Sequence, residues 1–467
     1  MDYSRNNFNS SIPNEIGDFI YARSYLSLSS NNLHGPIPKS ICNASGLILD
    51  LSNNSLSGNI PQCLAEDVPL QSRVESTDEL TQAVEHSVIE LSRNKLTGSI
   101  PNNFQKACGL ETLDLSKNQI QGQFPKSLVN CSKLEVLNLG NNYITDNFPC
   151  VLRSVSTLRV LVLRSNKFYG SIGCPNVNDT WYVLQVIDLA HNSFSGDMAG
   201  RMFLAWRAMI TRHDSPFNLE YAFKSRYYGP LIPSFTGLYN LESMLISLDA
   251  RYKDTITTII KGLEFHLVKI PSIFTLVDFS YNKFNGLIPE EIGELKSLYA
   301  LNLSGNALTG RIPSSFGRMQ QLESLDLSNN QFSGKIPQQM VNLTFLAVLD
   351  LSNNKLVGRI PTGTQFSTFP NTSFEGNKAL WGPPLIVDAL LSPPTSNGSS
   401  SDHLNSGDEI DWDIISVEIG FTCGFGIAIA SLLFCERWRK WYYEAMRSLL
   451  FKIFPWLEHK FGIHRRH

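Results

Sequence analysis

An asparagine recurs along this chain at Asn6, Asn31, Asn54, Asn94, Asn118, Asn142, Asn166, Asn192, Asn282, Asn306, Asn330 and Asn354. Two runs of four, from Asn94 to Asn166 and from Asn282 to Asn354, keep a spacing of 24 residues. A period of this length marks an array of stacked units, each covering its neighbour's apolar edge. It displaces the two or three globular domains that 467 residues would otherwise suggest. One copy reads Leu325-Asp326-Leu327-Ser328-Asn329-Asn330-Gln331-Phe332-Ser333-Gly334-Lys335-Ile336-Pro337. In Leu-x-Leu the two leucines point inward from a short strand, because strand side chains alternate. The Asn leaves the strand and can bond backbone groups of neighbouring coils, which would cost about 1–3 kcal/mol each if buried unsatisfied. The next Leu or Phe fills the core, Gly permits a tight bend, and Ile-Pro ends the segment with a fixed φ. The period predicts parallel strands at 113–115, 137–139, 161–163, 301–303, 325–327 and 349–351. Asn142, Asn166, Asn306, Asn330 and Asn354 are read as a structural ladder, and the side chains of Asn142, Asn306 and Asn330 are expected to be largely buried. Asp114, Asp326 and Asp350 recur with the repeat and are expected on the solvated strand face, as are Lys117, Arg159, Val162, Arg164 and His191.

Two intervals break the period. Asn54 to Asn94 is 40 residues, and 62–87 holds Glu66, Asp67, Glu75, Asp78, Glu79 and Glu85. This reads as a damaged repeat with an acidic loop, or as an insertion that binds a partner. Asn192 to Asn282 is 90 residues, and 197–273 carries Trp206, Tyr221, Tyr227, Tyr228, Tyr239 and Tyr252 without the repeat. Long non-repeat segments in a compact array are often functional; a folded spacer is the other reading.

Charge is distributed unevenly. The whole chain carries −3, which excludes a nucleic-acid binder on bulk charge, but 436–467 holds eight Lys/Arg against three Glu. Before it, 414–435 is a nearly uncharged run of 22 residues, where about 20 suffice to span a bilayer as a helix. Asp408, Glu409, Asp411 and Asp413 precede the run, and Arg437, Arg439 and Lys440 follow it beside Trp438, Trp441, Tyr442 and Tyr443. That asymmetry with its aromatic belt predicts a single-pass protein whose long part faces outward and whose basic tail is cytosolic. The start, Met1-Asp2-Tyr3-Ser4-Arg5, reads as the inside of a repeat, so an intact version is expected to carry a leader upstream.

The segment Leu308-Thr309-Gly310-Arg311-Ile312-Pro313 resembles the plant-type leucine-rich repeat. The expected fold is therefore an α/β leucine-rich repeat solenoid with a concave parallel sheet, interrupted by a non-repeat island and followed by one transmembrane helix. The organisation reads as repeats over 1–196, degenerate at 62–87; an island over 197–273; four repeats over 274–361; a C-terminal cap over 362–390; an acidic juxtamembrane linker over 391–413; a membrane helix over 414–435; and a tail over 436–467. This order is similar to that of the plant receptor-like proteins, kinase-less membrane receptors that include tomato resistance proteins against leaf mould. Tyr252, followed after eight residues by Lys261-Gly262, resembles that family's island motif. The resemblance implies that Tyr252, Lys261 and Gly262 lie where the island rejoins the array and help bind ligand or a co-receptor. The family's cap usually reads Leu-Cys-Gly-x-Pro-Leu, whereas this chain has Leu380-Trp381-Gly382-Pro383-Pro384-Leu385 and lacks that cap's disulfide.

Cys42 and Cys63, Cys108 and Cys131, and Cys150 and Cys174 lie 21, 23 and 24 residues apart, close to one period. Each pair can meet disulfide geometry if the side chains face each other; free buried thiols are the other reading. Sequons stand at Asn9, Asn43, Asn53, Asn130, Asn178, Asn302, Asn342, Asn371 and Asn397, acceptors for glycans in a secreted chain. A glycan on Asn302 would sit on the concave face and block ligand. No metalloprotease helix, nucleophile elbow, phosphate loop or zinc spacing occurs, so no enzyme, cofactor or metal is implied. The expectation is a plasma-membrane receptor that binds an extracellular peptide, protein or glycan and borrows a kinase, in plant immunity by resemblance. A developmental peptide receptor, or an inhibitor or scaffold of cell-wall enzymes, is the alternative. Gly420 and Gly424 form a Gly-x-x-x-Gly face suited to close helix pairing in lipid. The resemblance implies an adaptor receptor kinase at that face and a co-receptor kinase at the outer repeats.

Overall fold

The computed structural model describes residues 1–19, 25–43, 48–66, 87–106, 108–174, 180–210, 255–260, 263–268, 274–363 and 365–385. The chain divides into two units, Met1–Ala389 and Leu390–His467, and the second lies outside the described residues.

Within the first unit, three-residue strands stack into one parallel sheet of eleven strands, one per coil, from Tyr25–Ser27 to Val348–Asp350. Each strand lies one residue earlier than the period predicts: Thr112–Asp114, Val136–Asn138, Val160–Val162, Ala300–Asn302, Ser324–Asp326 and Val348–Asp350. The ladder explains the shift. The Leu115 amide still donates to Asn138 O at 2.9 Å, but the Leu115 carbonyl is taken by the side-chain amides of Asn118 and Asn142 at 3.1 and 2.9 Å. With its acceptor diverted, the residue cannot continue the strand.

The return limb is less helical than an α/β reading suggests. After the Ile-Pro or Phe-Pro step of most coils comes a single 3₁₀ turn, as at Lys126–Asn130, Cys150–Ser154, Glu290–Glu294, Ser314–Arg318 and Gln338–Asn342. Pro125, Pro149, Pro289, Pro313 and Pro337 occupy the N-cap positions, where a fixed φ starts the turn and a missing amide costs nothing. The chain must then bury one side chain, such as Leu128, Leu152 or Phe316, and turn back within five residues. That is too short for an α-helix to propagate. Short second-sheet strands fill the other side, the longest run joining Tyr169–Gly170, Ser193–Gly196, Lys283–Leu287, Ala307–Gly310, Gln331–Gly334, Lys355–Arg359 and Ala379–Trp381.

Both breaks in the period are bridged. Ile48–Asp50 pairs directly with Val88–Glu90, and Asn94 donates to Leu51 O at 3.0 Å. The 40-residue interval is thus one coil with an insertion, not a damaged coil added to a whole one. Across the island, Val186–Asp188 pairs with Leu276–Asp278, and Ser195–Gly196 with Lys283–Phe284. The chain stays with the array beyond residue 197. Helices Gly200–Leu204 and Arg207–Ile210 stand in for the return turn, and Ser297 donates to Met209 O at 2.9 Å. Of the rest of the island, an antiparallel hairpin is described, Thr255–Ile260 with Leu263–Val268.

Rings fill the core at this seam. Phe168, Phe194 and Phe284 stack at 6.0 and 6.3 Å, and Trp206 meets Phe203 and Phe279 edge-on at 5.4 and 6.1 Å. Disulfides Cys42–Cys63, Cys108–Cys131 and Cys150–Cys174 link adjacent return limbs, with Cα separations of 5.9, 4.5 and 5.6 Å.

Candidate functional site

The ladder positions everything around it. Asn142 donates from Nδ2 to Leu115 O, Leu139 O and Gly140 O at 2.9, 3.1 and 3.3 Å, and its Oδ1 accepts the Ile120 amide at 3.0 Å. Asn166, Asn306, Asn330 and Asn354 repeat this set. Asn142, Asn330 and Asn354 are buried, while Asn166 and Asn306 are half-buried. Asn377 extends the ladder one coil into the cap: Nδ2 donates to Leu351 O and Phe374 O at 3.0 Å, and Oδ1 accepts from the Leu356 amide.

Immediately before each ladder Asn, the backbone takes a left-handed turn. Arg93, Lys117, Asn141, Ser165, His191 and Tyr281 all have φ between 51° and 57°. Side chains rarely adopt this conformation, and here the stack enforces it. The His191 amide donates to Ser280 O at 2.9 Å and the Tyr281 amide to Ser304 O at 2.8 Å. The result is a rim along one edge of the primary sheet, one residue per coil, with Gly305 standing where its neighbours carry a side chain. His191 and Tyr281 stack face to face at 4.5 Å across the island seam, and Tyr281 is 53 % exposed. Burial and the nearby Arg164 charge hold the His191 pKa below its ordinary value, so the ring is neutral near pH 7.

Beside the rim, the strand face is not the solvated surface expected from the sequence. Asp114, Asp188 and Asp278 are buried, and so are Val162 and Arg164. Asp326 and Asp350 are half-buried. Lys117 is half-buried and His191 exposed, while Arg159 keeps 31 % side-chain exposure within 3.7 Å of Glu135. These acids serve the strand end: Oδ1 accepts the amide two residues on, as at Ser116, Ala190, Ser280 and Ser328. Stacking sets them in register, so Asp188 faces Asp278 directly. Burial raises the Asp188 pKa to about 7, the Asp278 charge adds to this, and Arg164, donating to Asp188 Oδ2 at 2.8 Å, opposes it. Burial likewise raises Asp278, Asp114 and Asp326. An apolar row, Val136, Val160, Val186, Leu276 and Ala300, runs beside them and is also buried. A cleft of about 200 Å³ opens among the return turns instead, walled by Trp181, Trp206, Ile172, Met202, Arg153 and Arg201.

Other candidate residues divide by location. Tyr252, Lys261 and Gly262 lie outside the described residues, as do Gly420, Gly424, the 414–435 segment, Asn178 and Asn397. No helix among the described residues is long and apolar enough to cross a membrane. Asn43 ends the turn Lys39–Asn43. Asn9, Asn53, Asn342 and Asn371 are exposed. Asn130 spends its amide on Phe104 O at 2.7 Å, and Asn302 is half-buried in the primary sheet.

Models of the leucine-rich repeat match residues 24–44, 47–66, 87–107, 108–168 and 308–356. Over 421 residues, 90 % of this chain and 43 % of the relative, the sequence is 42 % identical to receptor-like protein 33 of Arabidopsis thaliana. The chain is a leucine-rich repeat protein homologous to the plant receptor-like proteins. It spans less than half the length of the receptor-like proteins it matches. Among solved structures, the plant peptide hormone receptor RGFR1 with RGF2 shares the fold, at TM-score 0.57 and 21 % identity over 82 % of this chain and 51 % of that one. The Arabidopsis receptor kinase HAESA, solved with the peptide hormone IDA and the co-receptor SERK1, is similar at TM-score 0.50 and 25 % identity, over 80 % of this chain and 56 % of that one.

Proposed function

We propose that the chain is a cell-surface immune receptor that binds an extracellular ligand through its repeats and signals by pairing with a separate receptor kinase. The observation that carries this reading is the rim. Arg93, Lys117, His191 and Tyr281 stand on a rigid backbone, and the line of coils continues unbroken over the island. Rigid placement lowers the ordering cost of binding. Aromatic rings and cations at such positions suit a peptide or protein partner. The peptide hormone and co-receptor in the HAESA complex make a peptide ligand and a co-receptor kinase at the outer repeats reasonable for this chain too. In this reading the island motif Tyr252, Lys261 and Gly262 helps bind ligand or a co-receptor. The 414–435 segment anchors the chain in the plasma membrane, and Gly420 with Gly424 forms the face that an adaptor kinase helix meets.

The test uses the full chain expressed in leaf tissue. Gly420→Leu with Gly424→Leu should leave surface delivery intact and reduce recovery of the co-purified receptor kinase. Undiminished recovery defeats the pairing mechanism. His191→Ala with Tyr281→Ala should keep that pairing and abolish the ligand response; an unchanged response removes the rim from the site.

A further inference from the structure

Downstream of the island, the second sheet shows a charge pattern that folding does not need. Its strands there are Lys283–Leu287, Ala307–Gly310, Gln331–Gly334, Lys355–Arg359 and Ala379–Trp381. Lys283, Arg311, Lys335, Lys355 and Arg359 are exposed on or just after them, and no Asp or Glu occurs in these strands or in the Ile-Pro steps that follow. Three of the cations form a row, one per coil. The stem of Arg311 lies over Gly334, that of Lys335 over Gly358 and that of Arg359 over Gly382; a Cβ at those glycines would stand 3.1, 3.2 and 3.2 Å from the overlying Cγ. All three glycines have φ between 77° and 94°. Each stem is therefore held against backbone while its charged end faces water. The Arg359 guanidinium carbon sits 5.8 Å from the centroid of Trp381, whose ring is 51 % exposed and ends the row.

Neighbouring strands are about 4.7–4.9 Å apart, and like charges set side by side at that spacing destabilise a sheet. Arg311, Lys335 and Arg359 have no carboxylate partner among the described residues. The corresponding upstream positions, Asn59, Ser99, Asn147, Ser171 and Asp197, carry no cation. The row is thus confined to one block of coils and is matched there by no internal charge.

We propose that this face binds a linear acidic polysaccharide of the polyuronate class, with Arg311, Lys335 and Arg359 on its carboxylates and Trp381 stacked on a sugar ring. A row of cations in step across successive coils suits an extended polyanion better than a single anion. The disulfides place these coils in an oxidising compartment, away from cytosolic nucleic acid. A uronate chain carries one carboxylate on every ring, and the exposed Trp381, with Val357 and Leu287 also exposed, offers the apolar faces that sugar rings pack against. The proposal does not depend on the receptor reading and stands or falls apart from kinase pairing.

The experiment measures binding of the purified full chain to a de-esterified oligogalacturonate long enough to cross four coils. Its fully methyl-esterified form and a polyglutamate of equal charge serve as comparisons. Saturable, salt-sensitive binding to the de-esterified form alone is expected. Arg311→Gln, Lys335→Gln and Arg359→Gln together should weaken it by about tenfold or more. Arg311→Lys with Arg359→Lys should preserve binding, and removing Lys95 and Lys167 upstream should leave it unchanged. Trp381→Ala should weaken it by about threefold to tenfold. Unchanged disulfides and thermal unfolding verify the fold of each variant, and Lys335→Glu alone tests the row should the triple variant fail that check. Equal affinity for the methyl-esterified chain, an unaffected charge variant, or polyglutamate binding as tightly as oligogalacturonate would each overturn the proposal, the last in favour of an acidic polypeptide.

Discussion

Asn330 occupies one coil and satisfies two. Its three donated bonds and one accepted bond involve Leu303 O, Leu327 O, Ser328 O and the Leu308 amide. Asn330→Ala strands these buried groups, so a loss of about 1–3 kcal/mol is expected in denaturant unfolding. This ladder was legible in the sequence because a single residue type at a fixed phase can do the work. Asn377 was not, because Phe374-Glu375-Gly376 replaces the usual Leu-Ser-x before it and the interval from Asn354 is 23. The Asp188–Asp278 pair was illegible for another reason: 90 residues separate the two, and only the closed seam makes them neighbours. A natural control stands nearby. In the same strand position Asn138 donates to Asp114 Oδ2 at 2.8 Å while still accepting the Gly140 amide. Asp278→Asn should reproduce that arrangement, stabilising the chain at pH 7 by about 1–3 kcal/mol. The sign follows from the raised Asp188 pKa. Between its ordinary value near 3.8 and about 7 the folded chain holds more protons than the unfolded, so this pair's contribution to stability falls as pH rises through that window. Thermal unfolding between pH 4 and pH 8 should show that slope, and Asp278→Asn should lessen it, leaving the part that burial of Asp188 sustains.

At the level of elements, the return limb shows what composition alone cannot give. Leu-x-Gly-x-Ile-Pro signals a bend, yet whether a full helix or one 3₁₀ turn follows depends on how few residues remain before the next strand. The disulfides act on these turns. Replacing Cys108 and Cys131 together by Ser opens a link across 23 residues. A loss of about 2–4 kcal/mol is expected, measured as faster amide exchange over Lys126–Asn130 with little change beyond Ala300–Asn302. Equal loosening throughout the array would show that the link acts on the whole rather than on its own coils. Sequons follow the same local logic. Glycopeptide mass spectrometry of secreted material should find Asn342 and Asn371 occupied, because both side chains are exposed and a glycan there meets no packed surface.

Over the whole array, stability should propagate from neighbour to neighbour. The island interrupts the sequence without interrupting either sheet, so both blocks should unfold in one transition. Phe194 sits at the seam between Phe168 and Phe284. Phe194→Ala removes that contact at a cost of about 3–5 kcal/mol, and calorimetry should then resolve two transitions in place of one. A single shifted transition would show that the strand pairings of both sheets and the remaining ring contacts hold the blocks together without Phe194.

The insertion between Asn54 and Asn94 carries a genetic corollary. Asn94 reaches back to Leu51 as Asn118 reaches back to Leu91, although the intervals differ by 16 residues. Bonding therefore reads phase and ignores path length. Recombination that adds or drops a multiple of 24 codons keeps every asparagine in step, and any other length change is tolerated where the chain can bulge outside the strand and its turn. Copy number in such a gene can drift freely, and each out-of-phase error becomes raw material for a new loop.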